Sequence, residues 1–226
     1  SIERRYTYMK AGVQVLIFIG VIVLVAVGLF VGTRIWFNYT WFDSLDFAKV
    51  YTKTLWTRVL LWWGAFVVFL LFSGLNVRAA FRKGGIQSFK VQQPAFSAGM
   101  PGGGMPGAGP VQVSKTAAVV VSAAVLLIVG LVMAGNAAGR WETVLKFLNR
   151  TPFGMKDPLI GRDLSFFVFT LPLYGFLKSW SLGALVMTII VVGLLYLIAG
   201  KIAFEPNKVT ITDQAKRHLI LLFSLI

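Results

Sequence analysis

The chain has 226 residues, of which 57% are hydrophobic and 13% charged; soluble domains average about 25% charged, so a soluble globular fold and an intrinsically disordered chain are both excluded. The sequence has no cysteine and one histidine, His218, which removes disulfides, thiol nucleophiles, Cys-ligated zinc, iron–sulfur sites and His-based metal clusters. Lys and Arg total 22 against 8 Asp and Glu, a net charge of +14. These cations sit between long apolar runs, so they read as partners for anionic lipid headgroups and as topology determinants rather than as a nucleic-acid surface.

In chain order, the first apolar run is 11–33, bracketed by Lys10 and Arg34. It exceeds the core of a signal peptide and continues into Arg34-Ile35-Trp36-Phe37, which is no small-residue cleavage site, so it predicts a retained span. The next segment carries Trp41, Phe42, Leu45 and Ala48 at helical spacing, with Asp43, Ser44 and Lys49 off that face. This pattern predicts a short amphipathic helix over 41–50 lying in the membrane interface.

A second span is predicted over 55–75, with Trp56, Trp62 and Trp63 near its start, where amphipathic rings favour the headgroup level. The acid-free basic group Arg78, Arg82, Lys83 and Lys90 follows, then a linker over 94–110 with six Gly and four Pro, a composition that builds neither helix nor core. Its Gly-Gly-Gly lacks the following Gly-Lys-Ser/Thr of a phosphate loop. The third span, 116–135, is rich in Val, Ala and Gly; small residues allow close helix approach, so it is expected in the bundle interior. Trp141, Val144, Leu145 and Leu148 then repeat the amphipathic pattern, predicting a second interfacial helix over 141–150.

The stretch before span four holds the best polar pair. Asp157 precedes Pro158, which disfavours helix there, Gly161 supplies a turn, and Asp163 is placed to cap a helix beginning at Leu164. Two carboxylates with loop carbonyls fall short of the six or more oxygens a hard cation takes, and Lys156 and Arg162 beside them suggest salt bridges. Pro172 predicts a break after a short helix or re-entrant piece over 164–170. A fourth span covers 180–200, closed by Lys201, and a fifth begins at His218, whose ring could ligate a haem but more simply sits at the interface. The chain opens on Ser and stops within that fifth run, so it is expected to be part of a longer polypeptide.

Positive charge is twelve residues on the side of the N-terminus and ten on the other. With the basic group after span two as the clearest determinant, the N-terminus is assigned to the cytoplasm. No Asp or Glu lies in the four complete spans, where coupled transporters commonly carry one.

Two stretches carry a family likeness: Trp41-Phe42-Asp43-Ser44-Leu45-Asp46-Phe47-Ala48-Lys49-Val50-Tyr51, and the run from Asp157 to Tyr174 with its Asp-Pro-x-x-Gly-x-Asp, Ser-Phe and Leu-Pro-x-Tyr. Together the chain resembles the bacterial UPF0182 family of membrane proteins; Phe167 stands where Tyr is expected and Ile160 where Phe is expected. The resemblance implies about seven N-terminal spans ahead of a large extracytoplasmic domain, in a bacterial inner (cytoplasmic) membrane, and implies no activity. The expectation is therefore an all-α polytopic transmembrane bundle with short interfacial helices, acting as a non-catalytic accessory or scaffold subunit. No catalytic, cofactor-binding or metal-binding residue is assigned. The expected partners are anionic lipids and other membrane-protein subunits, which the small-residue face of span three and the aromatic outer segments could receive. The first alternative is a transporter whose polar site lies beyond residue 226, and the second a lipid- or glycan-modifying membrane enzyme with its catalytic part in a further domain.

Overall fold

A computed structural model describes residues 2–82, 88–91, 111–205 and 208–226; the linker 94–110 lies outside the described residues. The protein is built mainly of α-helices, and among the described residues four are long and apolar enough to cross a membrane. The chain divides into two compact units, 1–56 and 57–226.

The first unit is built on α1 (Ile2–Ser44) and the first turns of α2 (Ala48–Arg82). The predicted separate helix over 41–50 does not form. Residues 41–44 are the last turn of α1, 45–47 are a turn, and 48–50 open α2. The reason is a Schellman closure: the Phe47 N–H donates to the Phe42 carbonyl (2.8 Å) and the Asp46 N–H to the Asp43 carbonyl (2.9 Å). Asp46 takes the left-handed conformation this closure needs (φ 66°), which Asp tolerates better than most residues. The Phe42 ring stacks on Tyr51 at 5.3 Å. A β-branched residue at 46 should strain the turn: Asp46→Val is expected to cost about 1–2 kcal/mol and Asp46→Gly to be neutral or stabilising, as read by thermal unfolding of the purified full chain.

In the second unit, α2 from residue 57 packs with α3 (Lys115–Ala138) and α5 (Leu171–Ile198). One ridge of α3 is buried: Ala118, Ser122, Leu126, Gly130, Ala134 and Ala137. Its spacing of four residues, three at the last step, places these side chains on a single stripe, and four of them are Ala or Gly, so the helix backbones approach closely. The expectation that span three lies in the bundle interior holds for this stripe alone. The opposite face, including Val120, Ile128 and Val132, is exposed. The core continues through Phe69, Val77 and Ala80 of α2 and Leu185, Val192 and Tyr196 of α5. Across it, the buried Ser73 hydroxyl donates to Thr188 Oγ1 (2.7 Å), because Thr188 spends its own proton on the Ala184 carbonyl (2.7 Å). The Trp180 indole N–H donates to the Met133 carbonyl at 3.0 Å and so ties α5 to α3.

Helix α4 (Trp141–Leu148) forms as expected over most of 141–150. Arg58 covers the Trp141 ring at 4.8 Å, and Glu142 pairs with Lys146 one turn on at 2.7 Å. Leu148, expected on the apolar face, is exposed.

Two departures concern the segments flanking α5. The predicted break at Pro172 is absent. A π-helical turn over Phe166–Thr170 runs directly into α5, with the Leu171 N–H reaching back to the Phe166 carbonyl. Proline lacks an N–H and crowds the preceding turn; the wider π turn accommodates it without interrupting the helix. After α5, strands β3 (Ile202–Glu205) and β4 (Lys208–Ile211) pair antiparallel, and an earlier pair, β1 (Ser88–Val91) and β2 (Val111–Ser114), flanks the linker. Pro206-Asn207 between two short β-prone runs was the available signal for the later hairpin. Helix α6 (Asp213–Phe223) begins five residues before the expected start at His218. Thr212 is extended (φ −64°, ψ 144°) and Asp213 lies in the first turn, so the helix nucleates on polar residues ahead of its apolar run.

Candidate functional site

Two polar constellations stand out, one in the 151–165 segment and one where α2, α5 and α6 meet.

In the first, each carboxylate organises backbone. Asp157 Oδ1 accepts the N–H groups of Leu159 (2.9 Å) and Ile160 (2.8 Å), holding the Pro158 turn. Gly161 closes it with φ 69°. Asp163 caps the following helix as expected, Oδ1 accepting from Ser165 N–H at 2.8 Å. It also draws in a strand of chain ten residues earlier: Phe153 N–H donates to Oδ1 (3.1 Å) and Gly154 N–H to Oδ2 (2.8 Å). The expected salt bridges do not form. Arg162 lies over the Phe166 ring at 4.5 Å, and the Lys156 backbone pairs with that of Asp163. Both carboxylates are committed to N–H donors, so this is a structural latch ahead of α5.

The hydroxyl of Ser165, with the backbone N–H groups of Phe153, Ser165 and Gly154, holds the Asp163 carboxyl down at about 2, from an ordinary 3.8. A depressed carboxyl stabilises the fold above its unfolded pKa, and that contribution is lost as pH falls through the folded value. The latch should therefore stay closed from neutral pH to about 4 and open progressively toward about pH 2. Hydrogen exchange at the Phe153, Gly154 and Ser165 amides checks this. The same three amides should lose protection at neutral pH in Asp163→Ala, with little change in the core of α5.

In the second constellation, three side chains from three helices make a continuous chain of hydrogen bonds. The Asn76 amide nitrogen donates to the Phe72 carbonyl at 2.8 Å. That orients Asn76 Oδ1 toward His218 Nε2, 3.1 Å away. An amide oxygen only accepts, so Nε2 carries the proton, and Nδ1 accepts from the Tyr196 hydroxyl at 2.9 Å. The Tyr196 side chain is buried and its ring meets the imidazole edge-on at 5.9 Å. His218, read from sequence as an interfacial residue, is thus the junction of α2, α5 and α6, with both ring nitrogens engaged. Asn76 and Tyr196 did not emerge from sequence reasoning, which weighed only acids within the spans; isolated polar residues in apolar helices were the signal that could have found them. Beside this junction lies a cavity of about 540 Å³ reached by Asp213, Gln214 and Arg217.

Among the described residues no group of three or more His, Asp or Glu could hold a metal ion.

A family model described as an uncharacterised protein family, UPF0182, matches residues 15–226. A UPF0182 protein of Streptomyces coelicolor is 27% identical over 211 residues, covering 93% of this chain and 20% of its own length. One from Kocuria rhizophila is 33% identical over 217 residues, 93% of this chain and 20% of its own. One from Sulfurovum is 39% identical over 97 residues, 43% of this chain and 11% of its own. The chain spans about a fifth of the first and second of these relatives. No solved structure matches.

Proposed function

Proceeding from a chain that belongs to the UPF0182 family, we propose that this membrane protein is a non-catalytic scaffold or accessory element of a larger assembly in the bacterial cytoplasmic membrane, with its N-terminus in the cytoplasm. The observation that supports this reading is the openness of its apolar helices. In the apolar window of Thr116–Ala138 only 28% is buried. Such faces are suited to lipid chains and to the helices of neighbouring subunits. The polar side chains described above serve packing and loop closure, which is what a scaffold requires of them.

Full-length protein extracted in mild detergent should co-purify with a reproducible set of membrane proteins. A monodisperse single-chain species with no partner in native membranes or detergent would overturn the scaffold reading. Orientation is tested separately: cysteine introduced at Ser97 should resist a membrane-impermeant thiol reagent in intact cells while cysteine at Asn149 reacts, and the opposite pattern would reverse the topology.

The transporter reading is favoured by one observation, the Asn76–His218–Tyr196 chain within the helices, since ionisable groups among membrane helices commonly mark transport paths. Substrate-dependent or proton flux into proteoliposomes that His218→Gln abolishes would select it over the scaffold.

A further inference from the structure

Helix α5 ends at Ile198 and Lys201 follows, so the cavity beside Tyr196 lies where an apolar helix gives way to polar chain. Its walls include Ala79, Tyr196, Asp213, Gln214, Arg217 and His218. Tyr196 is hydrogen-bonded to His218, and His218 in turn to Asn76, which makes them a fixed wall rather than ligand groups. The groups left to meet a ligand are Asp213 and Arg217.

Asp213 and Arg217 stand one turn apart on α6, a spacing that often makes an ion pair. Neither is ion-paired among the described residues. The cavity therefore presents a guanidinium beside a carboxylate. A purely anionic ligand would meet the Asp213 charge, and a simple cation would meet Arg217. A molecule carrying both signs satisfies both groups. Side chains four residues apart have Cβ atoms about 5–6 Å from each other, a separation suited to a phosphate and an ammonium joined by two carbons. Ile220 and Leu221, next along α6, are exposed apolar residues, which favours a ligand with hydrocarbon attached.

We propose that this cavity binds the headgroup of a zwitterionic phospholipid of the phosphatidylethanolamine type, its phosphate on Arg217 and its ammonium on Asp213. The site needs no partner subunit, so it stands or falls independently of the scaffold reading. It gives the end of the bundle a preference for lipid composition.

The test uses the full-length protein in nanodiscs of phosphatidylethanolamine, phosphatidylglycerol and phosphatidylcholine in equal parts, with tightly retained lipid identified by native mass spectrometry. Wild type should retain phosphatidylethanolamine about three times as often as either other lipid, the discrimination one exposed ion pair supplies. Asp213→Asn should return the retained lipid to bulk proportions, and Arg217→Gln should lower retention of all three. Retention by wild type at bulk proportions would overturn the proposal whatever the variants do. So would a preference for phosphatidylglycerol, or enrichment unchanged in Asp213→Asn. Glycerophosphoethanolamine, the same headgroup without acyl chains, should fail to displace the bound lipid at millimolar concentration; displacement would identify a soluble ligand instead.

Discussion

Replacing His218 by leucine is expected to destabilise the 57–226 unit by about 1–3 kcal/mol for each buried polar atom it strands. The ring supplies an acceptor to the Tyr196 hydroxyl and a donor to Asn76 Oδ1, and Tyr196 is 1% exposed. Water from the adjoining cavity can replace the lost partner only in part, which keeps the expected penalty within that range. Thermal unfolding of the full chain in detergent reads the effect. The sharper measurement is a double-mutant cycle. Tyr196→Phe should be costly alone, because it leaves His218 Nδ1 without its donor, and nearly neutral in the His218→Leu background, where the hydroxyl is already orphaned. Strict additivity of the two changes would show that the hydrogen bond contributes nothing.

A second large effect is expected from Gly130→Leu. A Cβ at this position would stand 3.1 Å from Phe66 Cε2 and 3.3 Å from Phe69 Cδ1, tighter than ordinary contact. Leucine adds further carbons to a stripe whose neighbour Ala134 is fully buried, so α3 must move away from α2. Overpacking of this kind costs about 1–3 kcal/mol, and here it acts against the approach of two spans. Gly74→Leu is the control. It too replaces a helical glycine, but its Cβ meets nothing within 4 Å, and the gain in helix propensity of about 1 kcal/mol should leave it neutral or stabilised. Equal destabilisation by the two substitutions would show that the close approach at Gly130 is unimportant.

The positions of the four long helices were legible in the residues themselves. Runs such as 116–135 are longer than a buried soluble helix needs, and their apolar content dictates helix because a backbone in hydrocarbon must satisfy its own hydrogen bonds. The cap at Asp163 was equally legible, since its donor and acceptor lie two residues apart and the turn chemistry of Asp157, Pro158 and Gly161 is local. The small residues of span three announced close packing, and the structure uses one stripe of them.

What escaped the sequence depends on competition or on distance. The pattern over 41–50 carries helical spacing, yet the spacing is equally that of one helix ending and another beginning; the left-handed Asp46 and the Phe47–Phe42 hydrogen bond decide between them. Pro172 removes one N–H wherever it stands, but whether the helix breaks or widens depends on the turn it joins. The candidate site was hidden most completely. Asn76 and His218 are separated by 142 positions, and their meeting requires that α2, α5 and α6 each turn a particular face inward. Periodicity names the faces of a helix but not which polar side chain finds which partner across a packed interface. That choice is made by the ridges of small and large residues that fix helix rotation, and only the tertiary structure contains it.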